Sequence, residues 1–457
     1  QILMNTKISY HILAYDIQVH CINTHIEIRY SVRSIIYAMM LHLLRNRGNM
    51  TYEKAFEKLK SYDQLHVLDH YDELSDIEKN KLLTQISALD LSMLDLCKSA
   101  HSVQPRGKVS PLSAMQIPEI AVKHEKFNNI GIDAIQSGKV GAVLLAGGMG
   151  TRLGFDGPKG AYNIGIHNDV YIFQRIIENL LNVVGKANTW IHLFIMTSEG
   201  NHNETVSFFK CHDYFGYDAD YVDFFVQDTA PACDYDGHVY MASKSAVAVS
   251  PNGNGGWLTS MANAGILDTV HKEGIEWINV FAVDNVLQRI ADPYFIGAVI
   301  DSGCCCGSKV VRKNAPDEHV GVMCLDDDRP SIIEYYELTD ELMNARDENG
   351  NPAYNFGVIL NYLFKVSAVE KVMSEKLPLH VVEKKITHID EKGDLIQPDK
   401  PNGYKFETLV LDMIHELPDC LPYEVVRERE FAPIKNSSGI DSVESAQALC
   451  IKNGILL

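Results

Sequence analysis

Seven consecutive apolar or small residues, Val140-Gly141-Ala142-Val143-Leu144-Leu145-Ala146, run without a polar break. A run of this length is too short for a buried helix and suits a strand covered on both faces. Comparable runs predict further strands at Ile191–Thr197, Tyr221–Val226, Ala246–Val249 and Ile278–Val283. Between and after them, apolar residues recur at three- and four-residue spacing, which predicts helices at Val170–Val183, Trp257–Lys272 and Val358–Ser374. Helices alternating with buried strands predict an α/β architecture, a mostly parallel sheet with helices on both faces. In such a sheet the functional loops are expected at the carboxyl ends of the strands.

The flanks read differently. From Tyr52 to about Ala100 the pattern is helical, and Ser75-Asp76-Ile77-Glu78 forms a capping-box signature before Leu82, Leu83, Ile86 and Leu89. Residues 102–117, with Pro105, Gly107 and Pro111, read as a linker. Beyond Pro398 a helix is predicted around Phe406–His415 and a strand at Tyr423–Arg427. Residues 1–49 carry five basic against two acidic side chains, a net charge of +3 that sets them apart from the acidic remainder. The expected organisation is therefore an extension over 1–49, poorly ordered or translated from upstream, a helical domain over 50–117, a catalytic domain over 118–397 and a short C-terminal region over 398–457. The apolar stretch 34–44 is too short to span a bilayer, which takes about 20 residues, and is not flanked like a signal peptide.

Charge narrows the possible partners. A net charge of −19 on 457 residues excludes nucleic acid and anionic membrane as first choices, because both are bound through basic surfaces. The ten cysteines include Cys304-Cys305-Cys306, but no Cys-x-x-Cys and no zinc-ligand spacing, so reduced, mostly buried thiols and a cytoplasmic location are expected.

Candidate chemistry concentrates after the first strand, in Leu144-Leu145-Ala146-Gly147-Gly148-Met149-Gly150-Thr151-Arg152-Leu153-Gly154, followed by Pro158-Lys159. Glycines let backbone N–H groups approach a phosphate where a Cβ would clash, and Arg152 and Lys159 add fixed positive charge. Leu153 occupies the third glycine position of a dinucleotide fingerprint, and Lys159 follows proline and precedes Gly160, unlike a Walker loop. The loop is suited to a nucleoside triphosphate held in another way.

This loop resembles that of the sugar-nucleotide uridylyltransferases, and within them the eukaryotic UDP-N-acetylhexosamine pyrophosphorylases. Further matches in family order are Asn252-Gly253-Asn254-Gly255-Gly256, Val283-Asp284-Asn285, Gly321-Val322, Glu334-Tyr335, Asn355-Phe356-Gly357, Pro401-Asn402-Gly403-Tyr404-Lys405 and Phe431-Ala432-Pro433-Ile434-Lys435-Asn436. The resemblance implies a Rossmann-like, GT-A-like nucleotidyltransferase fold. It also implies an enzyme that joins N-acetylglucosamine 1-phosphate to UTP with release of pyrophosphate, aided by Mg²⁺, as a monomer or weak homodimer. It assigns catalysis to Arg152, Lys159 and Lys435, and the metal to Asp284. Nucleotide binding falls to Leu145, Ala146, Gly147, Gly148, Gln227 and Gly253. Sugar-phosphate binding falls to Asn254, Gly321, Glu334, Tyr335, Asn355 and Lys405. Leu409 and Leu411 stand where long family members carry aromatic residues, which implies a looser sugar pocket, and few residues remain for the β-rich C-terminal domain of those members. A UDP-glucose or broader UDP-sugar pyrophosphorylase, and a catalytically silent sugar-nucleotide sensor, remain open alternatives.

Overall fold

The computed structural model describes residues 16–19, 28–31, 50–99, 106–373 and 377–457. Of residues 1–49 this includes only the backbone of an antiparallel pair, Asp16–Val19 with Ile28–Ser31; otherwise the expectation for that extension lies outside the described residues. The chain divides into two compact units. One gathers Gln1–Leu89, Met241–Val247 and Ile389–Leu395, and the other comprises Asp90–Tyr240, Ala248–His388 and Ile396–Leu457.

In the first unit, helices span Tyr52–Ser61 and Asp76–Ala88. The second starts where the sequence signature places it. Ser75 Oγ accepts from Glu78 N, and the Glu78 carboxylate accepts from Ser75 N at 2.9 Å. These reciprocal bonds satisfy donors that a helix start leaves open. Leu82, Leu83 and Ile86 are buried, and Lys58 Nζ ties the far end of the helix by donating to Ile86 O and Leu89 O, each at 2.7 Å.

The second unit is built on one ten-stranded sheet. Its strands are β1 (Val109–Pro111), β2 (Val140–Leu145), β3 (His192–Thr197), β4 (Val222–Val226), β5 (Trp277–Ala282), β6 (Cys306–Arg312), β7 (Val322–Asp326), β8 (Arg329–Ile333), β9 (Phe356–Lys365) and β10 (Leu421–Glu424). The main path runs β8-β7-β9-β5-β2-β3-β4; β6 pairs with β9 and β10, and β1 with β7. Strands β5, β2, β3 and β4 are mutually parallel, as the helix–strand alternation predicts. The remainder joins largely antiparallel, so the sheet is mixed. For β7 and β8 the cause is local: Asp327 and Asp328, with φ of 47° and 63°, make a two-residue turn between them, and so short a loop can only return the chain antiparallel.

Strand periodicity sorts the core into two layers. Val140, Ala142, Leu144, Leu193 and Ile195 pack on one face, with helices His124–Gln136, Ile172–Ala187 and Pro293–Ser302. Val143, Leu145, Phe194 and Met196 pack on the other, with helices Trp257–Asn263, Ile266–Lys272, Val366–Met373 and Val410–Glu416. Both faces are thus covered, which is why β2 carries no polar position.

Several elements depart from their predicted form. Residues 358–365 belong to strand β9, and only Val366–Met373 is helical. Strand β9 is central, between β5 and β6, so its apolar residues run on without alternation and imitate a buried helix. Residues 257–272 form two helices because Gly265, at φ 75°, breaks the run. Ala246–Val247 and Val249–Pro251 lie in two-stranded pairs outside the sheet. The predicted helix at 406–415 begins as the strand Gly403–Glu407, and the strand predicted at 423–427 ends at Glu424. Residues 90–117 belong to the second unit, and the proline-containing stretch read as a linker supplies edge strand β1, a position that tolerates proline. Residues 398–457 also belong to the second unit, with β10 pairing in parallel with β6. The described cysteines are free, and Cys97 and Cys233 lie with their sulfurs 3.3 Å apart.

Helices His124–Gln136 and Pro293–Ser302 meet backbone to backbone. A Cβ on Gly131 would lie 1.9 Å from Pro293 O, and one on Gly297 would lie 1.8 Å from Phe127 O. Gly297→Ala is expected to force the helices apart and cost about 1–3 kcal/mol, the usual scale of overpacking, read as a lowered midpoint in thermal unfolding.

Candidate active site

The loops that follow β2, β4 and β5 converge at the carboxyl ends of those parallel strands. Beyond β2 the chain folds back on itself: Gly150 N donates to Gly157 O at 2.9 Å and Lys159 N to Gly148 O at 3.1 Å. Gly154, at φ 70°, makes the left-handed turn that permits this return. Lys159 is thereby fixed through its own backbone to the glycine loop. Asn201, fully buried, holds the loop from beneath; its Nδ2 donates to Ala146 O at 3.0 Å and Gly148 O at 3.2 Å. No motif pointed to Asn201.

Leu145 and Ala146 are buried at the strand end, where Ala146 N donates to Met196 O at 2.8 Å. Gly147 lies directly beneath the Gln227 amide: a Cβ there would come within 2.4 Å of Gln227 Nε2. Gly148 has open space where a Cβ would stand. Gly253 is required twice over, by φ 77° and by Thr408 O, which would lie 2.2 Å from its Cβ. The Gly253 loop is stitched to the segment preceding helix Val410–Glu416. Thr408 N and Oγ1 both donate to Asn252 O at 2.9 Å, and Val410 N donates to Asn254 Oδ1 at 2.9 Å. Asn254 therefore has its carbonyl oxygen committed to a helix N-terminus.

Four charged groups predicted from three motifs come together. Lys159 Nζ lies 3.7 Å from Asp284 Oδ2, just past β5. Burial pushes the Lys159 ammonium below the usual lysine range; nearby Arg152 and Lys435 add to the shift and Asp284 opposes it. Arg152 is exposed in the turn Thr151–Leu153. Lys435 pairs with Asp441 at 3.1 Å, and its segment is bonded to the strand end through Ile434 N to Asp284 O at 2.9 Å. Asp284 stands without a cluster: among the described residues no group of three or more His, Cys, Asp or Glu is arranged to hold a metal ion.

Of the residues assigned to the sugar, Gly321, Glu334, Tyr335 and Asn355 lie close to one another, while no described contact joins Lys405 or Asn254 to them. Val358 N donates to Gly321 O at 2.8 Å, which places Gly321 beside the start of β9, immediately after Asn355. Asn355 O in turn accepts from Lys313 N at 2.9 Å. A Cβ on Gly321 would lie 3.4 Å from Glu334 Oε1. Glu334 and Tyr335 lie just beyond β8, and Tyr335 stacks on His319 with ring centroids 4.4 Å apart. Burial raises the Glu334 carboxyl above its usual range, helped by Glu337 and opposed by His380 and Lys435. Lys405 stands in the strand Gly403–Glu407, paired with His380–Lys384; burial and Lys384 lower its ammonium, and Glu407 opposes them. Leu411 packs on the core, while the Leu409 backbone lies against Gly255.

An ion pair that no motif indicated borders this pocket. His380 Nε2 lies 2.9 Å from Asp412 Oδ2, and the same oxygen accepts from Leu409 N at 3.1 Å. The pair joins the strand opposite Lys405 to helix Val410–Glu416.

The chain belongs to the UTP–glucose-1-phosphate uridylyltransferase family, which it matches over residues 95–454. The human UDP-N-acetylhexosamine pyrophosphorylase-like protein 1 is 34% identical over 407 residues, covering 84% of this chain and 80% of that protein. UDP-N-acetylglucosamine diphosphorylase 2 of Arabidopsis thaliana is 34% identical over 427 residues, covering 88% and 84%. Among solved structures, the uridine diphosphate N-acetylglucosamine pyrophosphorylase of Trypanosoma brucei, crystallised with an inhibitor, superposes with a TM-score of 0.74 at 26% identity, covering 89% and 85%. No helix among the described residues is long and apolar enough to cross a membrane.

The hydrogen bond that His380 Nε2 donates to the Asp412 carboxylate raises the pKa of His380 above the usual imidazole value. A raised folded-state pKa gives stability that is complete below the unfolded value of about 6.5 and is lost as pH rises through the folded value. The thermal midpoint of His380→Asn is therefore expected to fall furthest below wild type under about pH 6, and to approach it at alkaline pH. Melting curves of both proteins across pH 5–9 check this, and a gap independent of pH would contradict it.

Proposed function

We propose that this chain is a uridylyltransferase that makes UDP-N-acetylglucosamine and pyrophosphate from UTP and N-acetylglucosamine 1-phosphate. The observation that carries the reading is the convergence of Arg152, Lys159 and Lys435 beside Asp284 at the mouth of a glycine loop. Two polyanions that must react repel each other, so the site needs fixed positive charge and backbone donors rather than a nucleophile of its own. The sugar phosphate oxygen attacks the α-phosphorus of UTP, pyrophosphate leaves, and no covalent enzyme intermediate is needed.

Each residue then has a distinct task. The Gly147–Gly150 backbone takes the triphosphate, and Gln227 reads uracil, its amide offering a donor and an acceptor side by side. Arg152 and Lys159 face the β- and γ-phosphates, where Lys159 stabilises the charge of departing pyrophosphate. Lys435 and Lys405 hold the sugar phosphate and the α-phosphate. Glu334 accepts sugar hydroxyls, while Gly321, Asn355, Asn254 and Tyr335 shape the sugar pocket. A single carboxylate suits Mg²⁺, which binds phosphate oxygens with only one or two protein ligands. Asp284 would hold it, and the ion would neutralise phosphate charge when bound. The same reading makes the enzyme cytoplasmic and a monomer or weak homodimer.

The protein is expected to release pyrophosphate from UTP only when a hexosamine 1-phosphate and a divalent cation are present, and to make little use of ATP or GTP. A coupled pyrophosphate assay with a panel of nucleotides and sugar 1-phosphates tests this. Equal turnover of ATP would overturn the uracil reading, and preference for glucose 1-phosphate would move the enzyme to the UDP-glucose class. Lys159→Ala is expected to lower kcat by about 100-fold or more, the scale of losing one donor at a position of developing charge. Near-normal kcat would remove Lys159 from the catalytic machinery.

A further inference from the structure

Lys435 reaches the centre on a segment that crosses the end of β5 with an incomplete ladder. Asn285 and Pro433 face each other in antiparallel register, flanked by Ile434 N donating to Asp284 O at 2.9 Å and Val286 N to Ala432 O at 3.4 Å. Pro433 has no N–H to contribute. The Asn285 side chain, 1% exposed, takes up groups the ladder leaves open: Oδ1 accepts from Ala432 N at 2.9 Å, and Nδ2 donates to Glu430 O at 2.8 Å. One amide thus spans two residues of the incoming segment, just before the chain turns to Lys435.

The far end of that segment is fixed independently. Lys309, with no exposed surface, donates to Glu430 Oε2 at 2.6 Å and to Asp292 Oδ2 at 3.0 Å. Glu430 is therefore held by its carboxylate to β6 and by its carbonyl to Asn285. The neighbours of Asn285 in the chain and across the ladder are Asp284 and the residues leading to Lys435, so its amide sets the spacing between the two walls of the site.

We infer that Asn285 is a positioning residue that sets Lys435 opposite Asp284 and Lys159, acting on turnover through Lys435. This inference rests on the uridylyltransferase reading, which assigns Lys435 to the reacting phosphates. Removing the amide leaves the backbone pairing in place but lets the Lys435 segment shift. Misplacement by even about 1 Å costs on the order of 100-fold in reactions governed by alignment.

The experiment is a double-mutant cycle on pyrophosphate release, with Asn285→Ala, Lys435→Ala and the double variant, and thermal unfolding measured on each. Asn285→Ala is expected to lower kcat by about 10- to 100-fold while KM for UTP stays within about threefold. In the Lys435→Ala background the same change is expected to alter kcat by less than about twofold, because groups acting as a unit are not additive. Should Asn285→Ala fail to fold, Asn285→Asp takes its place in the cycle; it keeps the acceptor for Ala432 N but turns an oxygen toward Glu430 O. Additive losses, or Lys435→Ala as active as wild type, would overturn the inference. A wild-type protein that releases no pyrophosphate would instead sink the uridylyltransferase reading.

Discussion

Mutual repulsion between like charges is the constraint to which the rest of the second unit answers. Charges of one sign repel more strongly in a partly buried setting than in water, and here Arg152 and Lys435 both lower the Lys159 ammonium. Free side chains would relieve this by swinging into water. Two of the three are carried by backbone that is held elsewhere, Lys159 by its N–H bond to Gly148 O and Lys435 by its N–H bond to Asp441 O and the crossing at Asn285, while Arg152 stays exposed. Among the described residues Asp284 is the carboxylate paired with Lys159, at 3.7 Å, and it opposes the effect of the two neighbouring cations. On the proposed reading, the phosphates of the substrates meet the remaining positive charge.

The same constraint explains how an acidic chain handles polyanions. With a net charge of −19, the average surface repels phosphate. Only the geometry of the parallel strand ends, which brings distant segments of sequence to one place, concentrates cations from residues 152, 159 and 435. The antiparallel extension of the sheet does the corresponding work for the residues proposed to bind the sugar, since Gly321, Glu334 and Asn355 directly flank the ends of β7, β8 and β9.

What the sequence disclosed followed from chemistry with few solutions. A fully apolar run of seven residues suits a strand covered on both faces, and glycines after it suit a chain that turns back on itself, so strand β2 and the tight return to Lys159 were legible together. The capping box at Ser75 was legible because its residues bond to one another locally. Strand β9 was misread as helix because burial on both faces erases the alternation that distinguishes the two. Edge strand β1 was hidden by prolines that an interior strand would not accept. Asn201 and the His380–Asp412 pair left no trace in the pattern, and Asn285 stood in a matched motif without any sign of its buried bonds. A buried amide or an imidazole–carboxylate pair is defined by partners that only the fold supplies, in the last case 32 residues apart.

The contact between Gly147 and Gln227 links two kinds of recognition mechanically. The amide proposed to read the base rests on the Cα of the loop proposed to seat the phosphates, with no room for even one methyl group between them. On the proposed reading the two tasks share this one contact, so a base that displaces the Gln227 amide would also disturb the loop beneath it, and discrimination between nucleotides would be felt in turnover as well as in affinity.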